Sequence, residues 1–292
     1  MNAPPGPASG DSALSGVSTH DCIEVAGYRA LVGSSSELVR ASLRSILRGF
    51  DRIDGPAADS LPRFELHPSA GEWQVMVNGE VVHQGGDFLV ALGMLEFHLV
   101  STALERTTDF FHLHGAALCA PTRRAGVVIV GDSGTGKTTL ALALMLRGFT
   151  PFSDDVAVID PETLHLRPLR RAFHIAADTW PLLDGLAGGR IHGEADAPPG
   201  YFSPTQWAQA PVPVRWVLFL RRIPGRTPRL FQMQPAEAAA AIIEHSGTLT
   251  RSPRLALTTT SRLVEQADCR RFIADDLERA VAAVQELVLS DG

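Results

Sequence analysis

Cysteine is scarce: the 292 residues contain three, Cys22, Cys119 and Cys269, odd in number and far apart. That excludes a disulfide framework or a cysteine metal knuckle as the organising device and suits a reducing compartment. An excess of positive charge is equally missing, since the formal net charge is −6 and the pI is near 5.9. No chain-wide electrostatic reason therefore exists to expect nucleic acid or an anionic membrane as partner. The arginine pairs Arg123-Arg124, Arg170-Arg171, Arg221-Arg222 and Arg270-Arg271 read as solvated ends of strands or helices, with phosphate contact as the alternative for some of them. No apolar run approaches the length of a membrane span, and the N-terminus has neither a basic start nor a hydrophobic segment, so the expected location is cytoplasmic. Residues 1–20 are rich in Pro, Gly, Ser and Ala and are expected to form a disordered tail.

What is there is ordinary for a globular chain: 45% hydrophobic and 20% charged residues, enough for one large or two small domains. From Asp21 an alternating run turns at Ala26-Gly27, which predicts a hairpin. Ser36 precedes Leu38, Val39, Leu43, Ile46 and Leu47 at helical spacing, with Gly49 as a stop. Phe64 to Leu66 and Trp73 to Val77 read as strands, and Asn78-Gly79 is a strong two-residue hairpin signal. Phe88 to Arg106 is predicted helical, with Leu92, Leu95, Leu99 and Ala103 on one side. Residues 21–106 are thus expected to form a small α+β module without recognisable chemistry, suited to packing or substrate docking.

The chemistry concentrates further on. Val127 to Val130 has the β-branched content of a buried strand, and the Leu/Ala-rich run after Thr138 reads as a helix closed by Gly148. Between them lies Gly131-Asp132-Ser133-Gly134-Thr135-Gly136-Lys137-Thr138-Thr139, the spacing of a phosphate-binding loop. Such a loop brings backbone N–H groups against phosphate oxygens, and Gly131, Gly134 and Gly136 keep that approach open. The helix N-terminus adds its positive end. Lys137 is placed to reach the outer phosphates and the Thr138 hydroxyl to ligate a bridging Mg²⁺.

Upstream, Phe110 to Leu118 reads as a strand with His112 and His114 on one face. The pair lacks a third ligand for a metal, so each reads as a hydrogen-bonded core histidine or as a single histidine beside the nucleotide. Downstream, Ser153-Asp154-Asp155 precedes the buried strand Val156 to Ile159. Adjacent residues on an extended chain point to opposite faces, so one carboxylate is expected to serve a metal or brace a neighbour while the other faces the acceptor. Val214 to Leu220 is a near-continuous apolar strand of a sheet covered on both faces. Pro235 to Glu244 is predicted helical, as is a last helix with capping-box spacing of Asp275 and Glu278 and a stripe of Leu277, Val281, Val284 and Val288.

His114-Gly115, the loop from Gly131 to Thr139, Arg147-Gly148 and Ser153-Asp154-Asp155-Val156 together resemble the catalytic domain of the HPr kinase/phosphorylase family. They are similar in particular to its divergent relatives that phosphorylate lasso-type ribosomal peptides. The resemblance covers roughly residues 110–170 and continues in layout to the C-terminus. It implies an α/β fold with a P-loop catalytic core on a central, mostly buried sheet over residues 107–292, and ATP and Mg²⁺ as cofactors. It also implies Asp155 as the base for a substrate serine hydroxyl, Lys137 and His114 in the active site, and Thr138 on the metal; of the acidic pair, Asp154 is then the carboxylate expected on the metal side. The family's second acidic signature is missing; Glu194, in the Gly/Pro-rich stretch from Gly185 to Gly200, is the candidate to replace it as a metal ligand.

The reading is an ATP-dependent kinase acting on a serine or threonine of a peptide or small protein, with oligomeric state left open. An NTP-hydrolysing regulator and a small-molecule kinase share the chemistry and differ only in the acceptor.

Overall fold

The computed structural model describes residues 19–53, 60–121, 124–184, 186 and 197–290. Arg123, Glu194, most of the Gly185 to Gly200 stretch and the tail up to residue 18 lie outside the described residues. The chain divides into two compact units, Met1–Thr107 with Ala195–Ser203, and Thr108–Glu194 with Pro204–Gly292.

The first unit contains β1 (Thr19–Val25), β2 (Tyr28–Ser34), α1 (Glu37–Ile46), β3 (Asp51–Arg52), β4 (Arg63–Ser69), β5 (Glu72–Val77), β6 (Glu80–Gly85) and α2 (Phe88–Arg106). Its strands form one sheet in the order β3-β1-β2-β4-β5-β6. Two-residue turns with positive φ at both positions close the hairpins: Ala26-Gly27, Ala70-Gly71 and Asn78-Gly79. Such turns carry the twist that antiparallel strands need. Thr19 and His20, expected in the tail, instead pair in β1, and the His20 ring stands 3.0 Å from the Glu65 carboxylate.

Asp87 starts α2 by accepting hydrogen bonds from the amides of Leu89 (2.8 Å) and Val90 (3.1 Å). Leu92, Leu95, Leu99 and Ala103 are fully buried where α2 packs on β4, β5 and β6. One expectation needs correction here. The 19 residues of α2 are long and apolar enough to cross a membrane, with mean hydropathy 1.5, but half of that window is buried inside the fold. The apolar run therefore has a packing explanation. Leu99→Ala should cost about 2–5 kcal/mol, read as a lowered urea midpoint. An unchanged midpoint would show that the stripe does not hold this unit together.

The second unit begins with β7 (Phe111–Cys119), β8 (Gly126–Val130), α3 (Lys137–Met145), β9 (Thr150–Ser153), β10 (Val156–Ile159), β11 (His165–Arg167), β12 (Phe173–His174) and α4 (Thr179–Asp184). After β13 (Tyr201–Phe202), which groups with the first unit, come β14 (Val212–Arg222), β15 (Arg229–Gln232), α5 (Pro235–Glu244), α6 (Pro253–Gln266), β16 (Asp268–Ala274) and α7 (Leu277–Ser290). The sheet order is β11-β10-β7-β8-β14-β16-β15, with β9 added on β7. The fold is mixed α/β.

At its centre β14 runs parallel to both β8 and β16. Val128, Val130, Val217 and Phe219 join Ala238 and Ile242 of α5 and Ala256 and Leu263 of α6 in one core. The alternate residues Val127, Ile129, Trp216 and Leu218 are also fully buried, so both faces are covered and the strands read as unbroken apolar runs. Because β8, β14 and β16 are parallel, their carboxyl ends gather Gly131, Arg222 and Asp275 at one end of the strands, where open α/β folds bind ligands.

The capping expected from Asp275 and Glu278 is corrected. Asp276 caps α7 by accepting from the Arg279 amide at 2.8 Å, while Asp275 accepts from the Arg222 side chain (3.1 Å) and the Gly225 amide (2.8 Å).

Candidate functional site

The loop between β8 and α3 is shaped by close backbone approach. A Cβ on Gly131 would lie 2.6 Å from the Leu220 carbonyl oxygen of β14, so no side chain fits there. Gly136 caps α3 in the left-handed region at φ 95°, which lets the chain turn into the helix. Asp132, Ser133 and Gly134 are exposed at the tip, while Lys137 is only 8% exposed. The Lys137 ammonium donates to the carbonyls of Gly131 (2.8 Å) and Asp132 (3.0 Å). Burial pulls its pKa down, and Asp155, Asp154 and Asp132 oppose that shift.

Asp154 and Asp155 sit between β9 and β10 and differ sharply in environment. The Gly115 amide donates to the Asp155 carbonyl at 2.8 Å, which fixes Asp155 beside His114 on β7. Its half-exposed carboxylate meets His114 Nδ1 at 3.3 Å and Arg171 Nη1 at 3.0 Å. Asp154 is buried, and that burial pushes its carboxyl up to about 6; Thr138 and the His174 amide act the other way, while the neighbouring Asp155 charge adds to the rise. Asp154 Oδ1 is buried without a hydrogen-bond partner. A carboxylate oxygen left bare beside a hydroxyl suits a cation, so Asp154 and Thr138 fit a divalent metal as donors.

His114, Ser133, Lys137, Thr138, Asp154 and Asp155 line one cleft of about 370 Å³, closed on another side by His174, Asp178, Thr179 and Arg222. Gly134, Gly136 and Thr139 contribute to its floor, whereas Gly131, Asp132 and Thr135 belong to the loop without lining this cleft. Glu194 lies outside the described residues.

Arg171 corrects the reading of its arginine pair as solvated: its side chain is 11% exposed and paired with Asp155. The Leu169 amide donates to the Phe152 carbonyl at 3.0 Å, and this anchor carries Arg171 back to the acidic pair. No local pattern announces that return. Arg270 and Arg271 pair with Asp268 and Glu237 at the surface.

The two histidines of β7 part company. Among the described residues no group of three or more His, Cys, Asp or Glu side chains converges on a metal position. His112 is buried; its amide donates to Thr248 Oγ1 at 2.8 Å, and its Nε2 has no partner. Burial, with Arg251 adding to it, drops its pKa from 6.5 to about 4. The unfolded chain thus takes up this proton at higher pH than the folded one. Stability from this group is complete above about pH 6.5 and drains away as the pH falls through about 4. Thermal melts between neutral pH and about pH 4.5 should therefore show a shallower loss for His112→Phe than for the wild type. Equal slopes would contradict this.

No protein-family profile and no curated protein matches the chain. Among solved structures, the Hpr(Ser) kinase/phosphatase from Coxiella burnetii aligns over 62% of this chain and 99% of its own, at 14% identity and a TM-score of 0.31.

Proposed function

We propose that the second unit is a phosphotransferase that moves the γ-phosphoryl group of ATP to a serine or threonine hydroxyl on a peptide or small protein. The observation that carries the proposal is the position of Asp155: a half-exposed carboxylate, oriented by His114 and Arg171, facing the same cleft as Lys137 and the glycine loop. A hydroxyl is a weak nucleophile, and a carboxylate within reach of its proton removes that handicap.

In this reading the loop amides and Lys137 hold the polyphosphate. The acceptor oxygen forms a bond to the γ-phosphorus, the bond from that phosphorus to the β–γ bridging oxygen breaks, and ADP departs. The hydroxyl proton passes to Asp155. His114 and Arg171 keep the carboxylate aimed while this happens, and the lysine charge meets the charge that builds on the transferring group. Asp154 and Thr138 would hold Mg²⁺, which when bound neutralises phosphate charge. The preference for a peptide acceptor, of the lasso-precursor type, rests on the sequence resemblance, and the first unit is assigned to its docking.

The test is incubation of the full chain with ATP, Mg²⁺ and the peptides encoded beside its gene, followed by mass spectrometry. One added phosphoryl group on a serine or threonine, abolished by chelating the metal, is expected. Phosphate release with every peptide unmodified would replace this reading with an NTP-hydrolysing regulator.

A further inference from the structure

In the first unit, β2 and β4 run parallel with Gly33 opposite Glu65, so the chain leaving β2 carries Ser35 beside His67. Ser35 is exposed. Its backbone amide (3.4 Å) and its hydroxyl (3.2 Å) both meet His67 Nδ1. An amide can only donate, so Nδ1 holds a lone pair, the hydroxyl donates to it as well, and the ring proton sits on Nε2. His67 Nε2 faces Glu65 Oε1 at 3.5 Å, and His20 Nε2 approaches the same oxygen at 3.0 Å. Room for His20 comes from Gly33, where a Cβ would lie 2.8 Å from the His20 ring. The backbone around Ser35 is held too: the buried Ser34 hydroxyl donates to the Leu66 carbonyl and accepts from the Ser36 amide at 3.1 Å.

A hydroxyl, an imidazole that accepts its proton and a carboxylate that orients the imidazole are the arrangement that makes a serine nucleophilic. Directly after it, α1 starts at Ser36 without a side-chain cap, so the amides of its first turn are open to an anion. The neighbouring carboxylates are engaged, Glu37 by Arg40 and Arg44, and Glu65 by His20. An exposed serine with its own base, followed by donors for an anion, is suited to accept and then keep a phosphoryl group. We infer that Ser35 is a phosphorylation site, modified by the chain's own phosphotransferase with ATP as donor. The inference rests on the kinase reading proposed above and adds the protein itself as a serine substrate. Ser35 Oγ forms a bond to the γ-phosphorus, the bond from that phosphorus to the β–γ bridging oxygen breaks, ADP leaves, and the hydroxyl proton passes to His67 Nδ1. The imidazolium then faces both the new phosphate and Glu65, and first-turn amides of α1 are available to the phosphate oxygens.

Incubation of the full chain with Mg²⁺-ATP, alone and with a peptide acceptor, followed by mass spectrometry that locates the modified residues, tests this. A phosphoryl group on Ser35 is expected in the wild type and not in Lys137→Ala. His67→Ala should slow Ser35 labelling by about 10²-fold, and added imidazole should restore part of the rate, which a merely structural role would not allow. Glu65→Gln, close in shape to the native side chain, should slow labelling several-fold; it keeps the test open if His67→Ala does not fold. A phosphorylated peptide with Ser35 unmodified, or phosphate on other serines of the chain only, would overturn the Ser35 site and leave the kinase reading standing. Ser35 labelled at the wild-type rate in His67→Ala or in Lys137→Ala would overturn it as well, by removing its base or its donor. Phosphate on neither the peptide nor the chain would overturn the kinase reading and the Ser35 site together.

Discussion

Asp155→Asn is expected to leave nucleotide binding intact and to slow phosphoryl transfer by about 10²–10⁴-fold, the usual contribution of a positioned general base. The substitution is close to isosteric. An asparagine carbonyl still accepts from Arg171, which approaches one carboxylate oxygen at 3.0 Å, and the side chain still fits beside His114 at 3.3 Å from the other. The Gly115 amide, bonded to the Asp155 backbone carbonyl, is untouched. The capacity to take a proton is lost together with the carboxylate charge, so a fall in kcat with unchanged ATP affinity would locate the defect in the chemical step. Full turnover by the variant would mean that another group accepts the proton.

Lys137→Ala should act on both binding and rate. Its ammonium is buried against the loop, bonded to the carbonyls of Gly131 and Asp132, with three carboxylates near enough to favour its charge. Removing it takes away the one positively charged side chain among the loop residues Gly131 to Thr139. A fall of about 10²–10³-fold in kcat, the cost of losing one donor aimed at developing charge, is expected together with weaker ATP binding. Steady-state kinetics and calorimetry on the same preparation check both effects. Near-normal transfer would remove the loop from the mechanism.

Local chemistry made much of this fold legible. Asn78-Gly79 announces its hairpin because few other residue pairs adopt positive φ twice in succession at low cost. The spacing of Leu92, Leu95, Leu99 and Ala103 announces α2, and the apolar run of β14 announces a strand buried on both sides. The glycine loop was readable for the same reason, since its backbone needs are met by residues adjacent in sequence.

What escaped depends on distant partners. No element was expected at α6, whose Thr258-Thr259-Thr260 run has poor helix propensity; burial of Ala256 and Leu263 against the sheet outweighs it. Ala70-Gly71 makes a turn like that of Asn78-Gly79 without its sequence signal. Asp275 and Asp276 are neighbours, and only the position of Arg222 on another strand decides which of them caps α7. Arg171 reaches Asp155 through a backbone bond between Leu169 and Phe152 that no periodicity reveals. Adjacency on an extended chain predicts opposite faces for Asp154 and Asp155, yet both line one cleft, and the bare oxygen of Asp154 emerges only from the packing around it.

The most direct test of the central claim is to measure, in one reaction of the wild-type full chain with Mg²⁺ and a peptide acceptor, the ADP formed and the phosphoryl groups attached to serine or threonine. A phosphotransferase with Asp155 serving the acceptor hydroxyl gives one phosphorylated hydroxyl per ADP. ADP accumulating with inorganic phosphate, and no phosphorylated hydroxyl, would contradict it.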